Sequence, residues 1–423
     1  MGIKGLARNF ELQLREKLHF SHFLIFILFL LALTTNIAIS GENQFSILSQ
    51  QFLKGSLYLP DVVGDAVLFK GKYYWHLGPF PAFALVPFSA ITLSIFSSPM
   101  SQGVVNFLLV FFSFLLIRDI SIKFGFDKDS SLWLSIGVIF SSVFSLSVFL
   151  PWSWHFSQTI TFFLGLLSLR EYMGKKNTFL IGLYYSFILM TRVTAAFGIL
   201  FYILDIVFSG LNKKLKVRKL FIMAIPLILS GIILLSYNYT RFQDAFDNGY
   251  KNSNNWREDS DSFTYEMRHY GLFSVKNIPT NLYYYFFNIP SPVLETVEGY
   301  ERKLFKADPA MIIHLTFPYI KVSPPGVGFF VVSPIFLLMF RNKLKTKNSK
   351  FAAITSLFIL IFLLTYYWTG WTQIGPRYMI DLLPFLVILL MESYQNRKVP
   401  LGQKILISSS AFFNVFLFFS LFS

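Results

Sequence analysis

Apolar and polar positions alternate in long blocks along this chain. Apolar runs fall near residues 21–40, 79–97, 103–117, 130–150, 155–169, 178–191, 193–209, 220–237, 325–340, 351–368, 379–393 and 405–422. Most approach the roughly 20 residues that an α-helix needs to cross a bilayer. They are continuous runs, not the two-residue alternation of a membrane β-barrel. The pattern predicts an all-α, polytopic transmembrane helical bundle of about 11–13 spans, with large extracytoplasmic loops carrying short surface helices. Three organisational units follow: residues 1–237, including a first outer loop at 41–78; a long polar segment, 238–324; and C-terminal transmembrane helices, 325–423.

The first loop is too long and too polar to serve only as a connector. It holds Glu42, Asp61, Asp65, Lys70, Lys72 and His76. Within it Phe45, Leu48 and Phe52 share one helical face and Gly55 supplies a stop, which predicts a helix over 42–54 lying along the membrane surface.

Composition agrees with this class. Of 423 residues, 54% are hydrophobic and 14% charged, where a water-soluble domain carries about a quarter charged. The net charge of +15 would suggest nucleic-acid binding in a soluble protein. Here the cations cluster in short loops at 213–219, 341–350 and 397–404, as the positive-inside rule requires. We therefore expect those loops in the cytoplasm, 41–78, 238–322 and 369–378 outside, and no nucleic-acid partner. A cytoplasmic N-terminus (Lys4, Arg8, Arg15, Lys17) needs an odd number of crossings, whereas the runs number an even dozen. Segment 79–97, headed by Pro79 and Pro81, and the short pair within 178–209 are the places for a partial helix. There is no cysteine, which rules out disulfide and thiolate chemistry. The N-terminus shows no signal-peptide pattern, and no Walker A motif is present.

Several motifs occur in a defined order. The first loop runs Glu42-Asn43, an amphipathic helix, Gly55, Gly64-Asp65-Ala66, Gly71-Lys72-Tyr73-Tyr74 and Gly78-Pro79. Later come Thr191-Arg192, then Asn238-Tyr239-Thr240-Arg241-Phe242 with Gly249-Tyr250. Last are Gly370-Trp371, Gly375-Pro376-Arg377-Tyr378 and Asp381-Leu382-Leu383-Pro384. Together they resemble the C-type (GT-C) membrane glycosyltransferases, closest to bacterial relatives of the protein mannosyltransferases and lipid A aminoarabinose transferases. Two positions depart from the pattern: His76 stands where many relatives have Lys, and the leading acid is Glu42 and not Asp.

The resemblance implies transfer of a sugar from a polyprenyl-phosphate donor to an acceptor hydroxyl at the outer face of the cytoplasmic membrane. The reaction would be a single inverting displacement, and the acceptor a lipid, a glycan or a protein. A first-loop carboxylate would act as base, and cations or a metal would meet the leaving phosphate. The resemblance makes Glu42 and Asp65 the catalytic candidates, and Arg377, Arg192, His76 and His155 the donor and phosphate contacts. Each residue also has an ordinary explanation. Glu42 could complement a helix dipole, and Asp65 and Asp61 could form turns. Arg377 could snorkel to headgroups. His76 and His155 sit beside tryptophans, as interface anchors do. Arg192 interrupts an apolar stretch, and a charge at membrane depth costs about 2.5–3.5 kcal/mol on insertion scales. His269 and His314 have no ligand spacing around them. No metal site is predicted, although a loop carboxylate could hold a divalent ion with the donor phosphate. The competing reading is a transporter or flippase of a lipid-linked saccharide, which would favour internal repeats; none is evident. An envelope-glycan polymerase or ligase would carry its large outer loop later in the chain.

Overall fold

The computed structural model describes residues 3–39, 41–250, 269–296 and 313–422. Helices dominate. The chain enters through α1 (Ile3–Ala38) and the surface helix α2 (Gln44–Leu53). A short hairpin follows, β1 (Val67–Phe69) with β2 (Lys72–Tyr74), and then α3 (Phe80–Phe96) and α4 (Gln102–Lys123). Three helices continue the bundle: α5 (Lys128–Phe140), α6 (Ser145–Phe149) and α7 (Ser153–Tyr172). Next come α8 (Thr178–Leu189), α9 (Val193–Ala196), α10 (Leu200–Val207) and α11 (Lys213–Phe242). Beyond them lie α12 (Ile278–Leu282) and a second antiparallel pair, β3 (Ser291–Thr296) with β4 (Ile313–Lys321). The C-terminal part comprises α13 (Phe329–Val332), a 3-10 helix at Pro334–Arg341, α14 (Lys347–Thr365), α15 (Leu383–Ser393) and α16 (Leu401–Ser420).

The protein is a multi-pass helical membrane protein. Among the described residues, five helices are long and apolar enough to cross a bilayer: Phe20–Ala38, Gln102–Lys123, Lys213–Phe242, Lys347–Thr365 and Leu401–Ser420. Their side chains sort as lipid demands. On α1, Leu24, Leu28 and Ala32 recur every fourth residue and are buried, while Phe23, Phe26 and Leu30 face outward. On α11, Phe221, Ile228, Leu229 and Ile232 are exposed. In water such a surface would be an aggregation hazard; in hydrocarbon it costs nothing.

The remaining apolar runs divide. Segment 178–209 becomes α8, a break at Thr191-Arg192, and then α9 and α10. At 12 residues α8 is about 18 Å long, well short of a hydrocarbon core of about 30 Å. Segment 130–150 is interrupted between α5 and α6. A helix broken at this depth needs new partners for its freed backbone groups, and three buried asparagines supply them. Asn36 Nδ2 donates to the Val148 carbonyl at 2.7 Å. Asn106 Nδ2 donates to Ser147 O and to Asn36 Oδ1, each at 2.9 Å. Asn414 Nδ2 reaches Val332 O at 2.9 Å and Phe140 O at 3.3 Å.

The two ends of the bundle differ in charge. Lys347 and Lys176 both face Asp205, Tyr172 OH donates to Asn348, and Lys404 pairs with Asp129. These contacts gather the basic loops at one end. The first loop lies at the other, tied to the start of α7 and the end of α11.

Candidate functional site

The expected surface helix is present as α2, one residue beyond Asn43. Its inward face places Phe45 edge-on to the wholly buried Trp75, with ring centres 5.9 Å apart. The hairpin turns through Lys70 and Gly71, both at positive φ, as a two-residue turn requires. Tyr74 and Phe69 pack against Phe242, and Arg241 Nη1 donates to the Trp75 carbonyl. The loop is thus clamped onto the end of α11.

Glu42 is fixed through its backbone. Its carbonyl accepts from Ser153 N at 2.8 Å, Gln102 Nε2 at 2.9 Å and Ser153 Oγ at 3.0 Å. Its carboxylate accepts from Gln44 Nε2 and lies over Gly64, where a Cβ would overlap it. Partial burial raises the Glu42 pKa; the Gln44 bond opposes this and the nearby charge of Asp65 adds to it. Glu42 also borders a hollow of about 220 Å³ with Asn36, Gln102 and Trp152. Asp65 is joined to the next group through its carbonyl, 3.2 Å from His76 Nδ1.

His76 opens onto the main cavity, of about 420 Å³. Burial, which dominates, and the nearby Arg241 bring its pKa down to about 4, against a raising hydrogen bond to the Asp65 carbonyl. It is neutral at pH 7, and with Nδ1–H donated to the Asp65 carbonyl its Nε2 can only accept. Its ring meets Tyr250 edge-on at 4.5 Å.

The cavity is lined by two kinds of side chain. Leu189, Phe197, Leu234, Leu235, Phe273 and Phe362 are apolar; Arg192, Arg241, Arg377, Tyr250, Tyr366 and Tyr378 are cationic or phenolic. The arginines are not equivalent. Arg192 forms a bidentate pair with Asp381, Nε–Oδ1 at 2.9 Å and Nη2–Oδ2 at 3.0 Å, and Thr194 Oγ1 also donates to Oδ2. Its charge is thereby compensated inside the apolar interior. Arg241 donates to Trp75 O and to Asn238 Oδ1 and has no carboxylate partner among the described residues. Arg377 is buried, and its Nε has no hydrogen-bond partner among the described residues. Its main chain is held by Gln158 Nε2, which donates to its carbonyl at 3.2 Å, and by Gln373 Oε1, which accepts from its N–H. Gln373 also donates to Pro325 O at 2.6 Å and Thr369 O at 3.0 Å, so one amide organises the whole 369–377 turn.

The structure therefore brings Glu42, Asp65 and His76 into one loop assembly, and His76, Arg192 and Arg377 into one cavity. His155 lies on α7 behind the cavity wall, 3.3 Å from Ser147 Oγ, and does not line it. Asp61 is exposed and caps its own turn by accepting from Val62 N. Arg241, Tyr250, Tyr366 and Tyr378 were not singled out as site residues in the sequence. The available signal for Arg241 was a charge closing an apolar helix. The acidic part of the long segment, Arg257 to Arg268, lies outside the described residues.

No protein-family model and no curated protein matches this chain. Solved structures of similar backbone course exist. ArnT from Cupriavidus metallidurans bound to undecaprenyl phosphate is 10% identical, with a TM-score of 0.49 over 92% of this chain. The apo state of the same protein is 11% identical, with a TM-score of 0.45 over 90% of this chain. The apo Archaeoglobus fulgidus oligosaccharyltransferase is 12% identical, with a TM-score of 0.38 over 95%. This chain spans 62%, 61% and 55% of their lengths. The likeness is one of backbone course and assigns no residue a role.

Proposed function

We propose that the protein is a membrane glycosyltransferase that moves a sugar from a polyprenyl-phosphate donor to an acceptor hydroxyl at the outer face of the cytoplasmic membrane. The observation that carries this reading is the lining of one cavity: apolar side chains of α8, α11 and α14 stand beside Arg377 and Arg241, neither paired with a carboxylate among the described residues. That arrangement suits an amphiphile with an anionic head on an apolar tail. In the proposed displacement the acceptor oxygen forms a bond to the anomeric carbon as the bond from that carbon to the phosphate oxygen breaks. The acceptor proton passes to Glu42, or to Asp65 beside it, and polyprenyl phosphate leaves with the bonding pair. Arg377 meets the charge that grows on the phosphate, where a preorganised cation acts most strongly. Neutral His76, with Nδ1–H on the Asp65 carbonyl, accepts through Nε2, which suits a sugar hydroxyl and not the phosphate. Arg192 holds the wall through Asp381 and is not free to bind phosphate without giving up that pair. Raising the Glu42 pKa brings a carboxylate base nearer to the working pH.

The test is a transfer assay on purified protein in detergent. It offers a panel of radiolabelled polyprenyl-phosphate sugars with membrane extract as acceptor, for wild type, Glu42→Gln, Asp65→Asn and Arg377→Met. We expect wild type alone to move label at full rate. Movement of donor across liposomes without transfer would favour the flippase reading, and full activity in Glu42→Gln and Asp65→Asn alike would remove the first-loop base.

A further inference from the structure

The second hairpin carries an apolar surface that the rest of the protein leaves exposed. Ser291 pairs with Lys321 and Pro292 with Ile320, and pairing resumes at Leu294 with Leu315. Between these points β4 has four residues where β3 has one, so 316–319 bulge from the ladder. The bulge turns two aromatic rings outward. Phe317 is 74% exposed and Tyr319 is 55% exposed, and their rings meet edge-on with centres 6.1 Å apart. Tyr319 takes a φ of +65°, a region that a bulky residue rarely enters. Leu315, two residues before Phe317, is exposed, as are Phe287 and Ile289, which lead into β3. In a molecule surrounded by water a patch of this kind marks a contact surface.

The base of the hairpin is fixed to the bundle. Buried Asn288 donates through Nδ2 to Ser323 Oγ at 2.9 Å and to Gly326 O at 2.5 Å, and its carbonyl accepts from Gly328 N at 2.7 Å. Val327 N donates to Ile374 O at 2.9 Å, and Gln373 Nε2 donates to Pro325 O. These bonds join the hairpin to the turn that carries Arg377, at the same end of the bundle as the first loop. Strand β4 also packs against α16, a membrane helix whose Phe412 and Phe419 are exposed. The patch therefore continues the surface that the helices present to lipid. Its depth follows from its chemistry. A two-stranded hairpin leaves backbone groups unpaired along its edges, which the hydrocarbon core does not tolerate. The headgroup region supplies water to those edges. Aromatic rings belong there, and so does a lysine with its charge among the phosphates; exposed Lys321 ends β4.

We infer that Leu315, Phe317 and Tyr319 dock into the bilayer, at the boundary between headgroups and acyl chains of the leaflet on the first-loop side. The hairpin thereby holds the Arg377 turn at a fixed depth. The inference rests on the membrane fold and is independent of the transfer reaction. Because the chain has no cysteine, Phe317→Cys and Lys72→Cys can each carry one environment-sensitive nitrobenzoxadiazole probe; both positions are exposed. The full-length protein is placed in liposomes of phosphatidylcholine and phosphatidylglycerol, with or without phosphatidylcholine spin-labelled near the top of its acyl chain. The probe at position 317 should emit to the blue of the probe at position 72, and spin-labelled lipid should quench it at least threefold more. Iodide present on both sides of the membrane should quench in the opposite order. Quenching at position 317 by iodide and not by spin-labelled lipid would overturn the inference, because the face would then meet water. Shielding from both quenchers would overturn it too, because a second copy of the chain would then cover the face. Equal lipid quenching at the two positions would do the same.

Discussion

At the scale of single residues, two arginines in one cavity have opposite uses. Arg192 is bound on both nitrogen faces to Asp381, whose side chain is fully buried. Breaking such a pair strands a charge, at a cost of about 3–5 kcal/mol. Asp381→Asn or Arg192→Met should therefore lower the unfolding free energy by that order, and the double change should recover much of it. Arg377→Met should leave stability nearly unchanged and reduce transfer. Denaturant unfolding beside a transfer assay separates the two. Glu42 offers a pH test. Its raised pKa means that the basic form is lost on acidification at a higher pH than for an ordinary carboxylate. Transfer should rise with pH through that pKa and then level off. For stability the sign is opposite: a raised carboxylate favours the fold only at low pH and loses that contribution as pH rises through it. Glu42→Gln should consequently be no less stable than wild type at pH 7. Gly64 sits at positive φ against the Glu42 carboxylate. Gly64→Ala should thus lower transfer at least tenfold with little change in the Gln102 and Ser153 contacts that hold the Glu42 backbone. A normal pH–rate profile in Gly64→Ala would refute this placement.

At the scale of elements, short helices and asparagine side chains decide the architecture. The break between α5 and α6 leaves the Phe140 and Ser142 carbonyls, which Asn414 satisfies, and the end of α6 leaves those of Ser147 and Val148, which Asn106 and Asn36 satisfy. Asn414→Leu should destabilise the fold by about 1–3 kcal/mol for each buried carbonyl left alone, measured as a fall in melting temperature in detergent; an unchanged value would mean that water replaces the amide. Gly182 belongs to the same level. Its Cα faces the Met223 carbonyl so closely that a Cβ would overlap it, which lets α8 and α11 pack at the short separation that small residues permit in membranes.

At the scale of the whole molecule, charge separates the two ends. The basic loops gather around Asp205, Asp129 and Asn348, and the first loop lies at the far end against Arg241 and Ser153. Because the chain has no cysteine, single cysteines at Lys72 and Lys345 should react with an impermeant thiol reagent from opposite faces of sealed vesicles. Labelling of both from one face would refute the two-ended arrangement.

What the sequence determined was the class of the molecule and a set of candidate site residues. Burial of apolar runs is a local, additive property, so the membrane helices, the surface helix at α2 and the basic loops were all legible in one dimension. The first-loop acids and the Gly375–Tyr378 turn were legible because glycine, proline and charge are rare within apolar blocks. Partnership was not legible. Only the tertiary structure joined Arg192 to Asp381, 189 positions apart, and left Arg377 without a carboxylate among the described residues. It alone moved His155 behind the wall and brought Arg241 and Tyr250 into the cavity. The division of the apolar runs into whole and broken helices was equally hidden, since it rests on distant asparagines that reach the exposed carbonyls. Hydropathy records how much each segment prefers lipid; which polar group faces which depends on contacts between residues far apart in the chain.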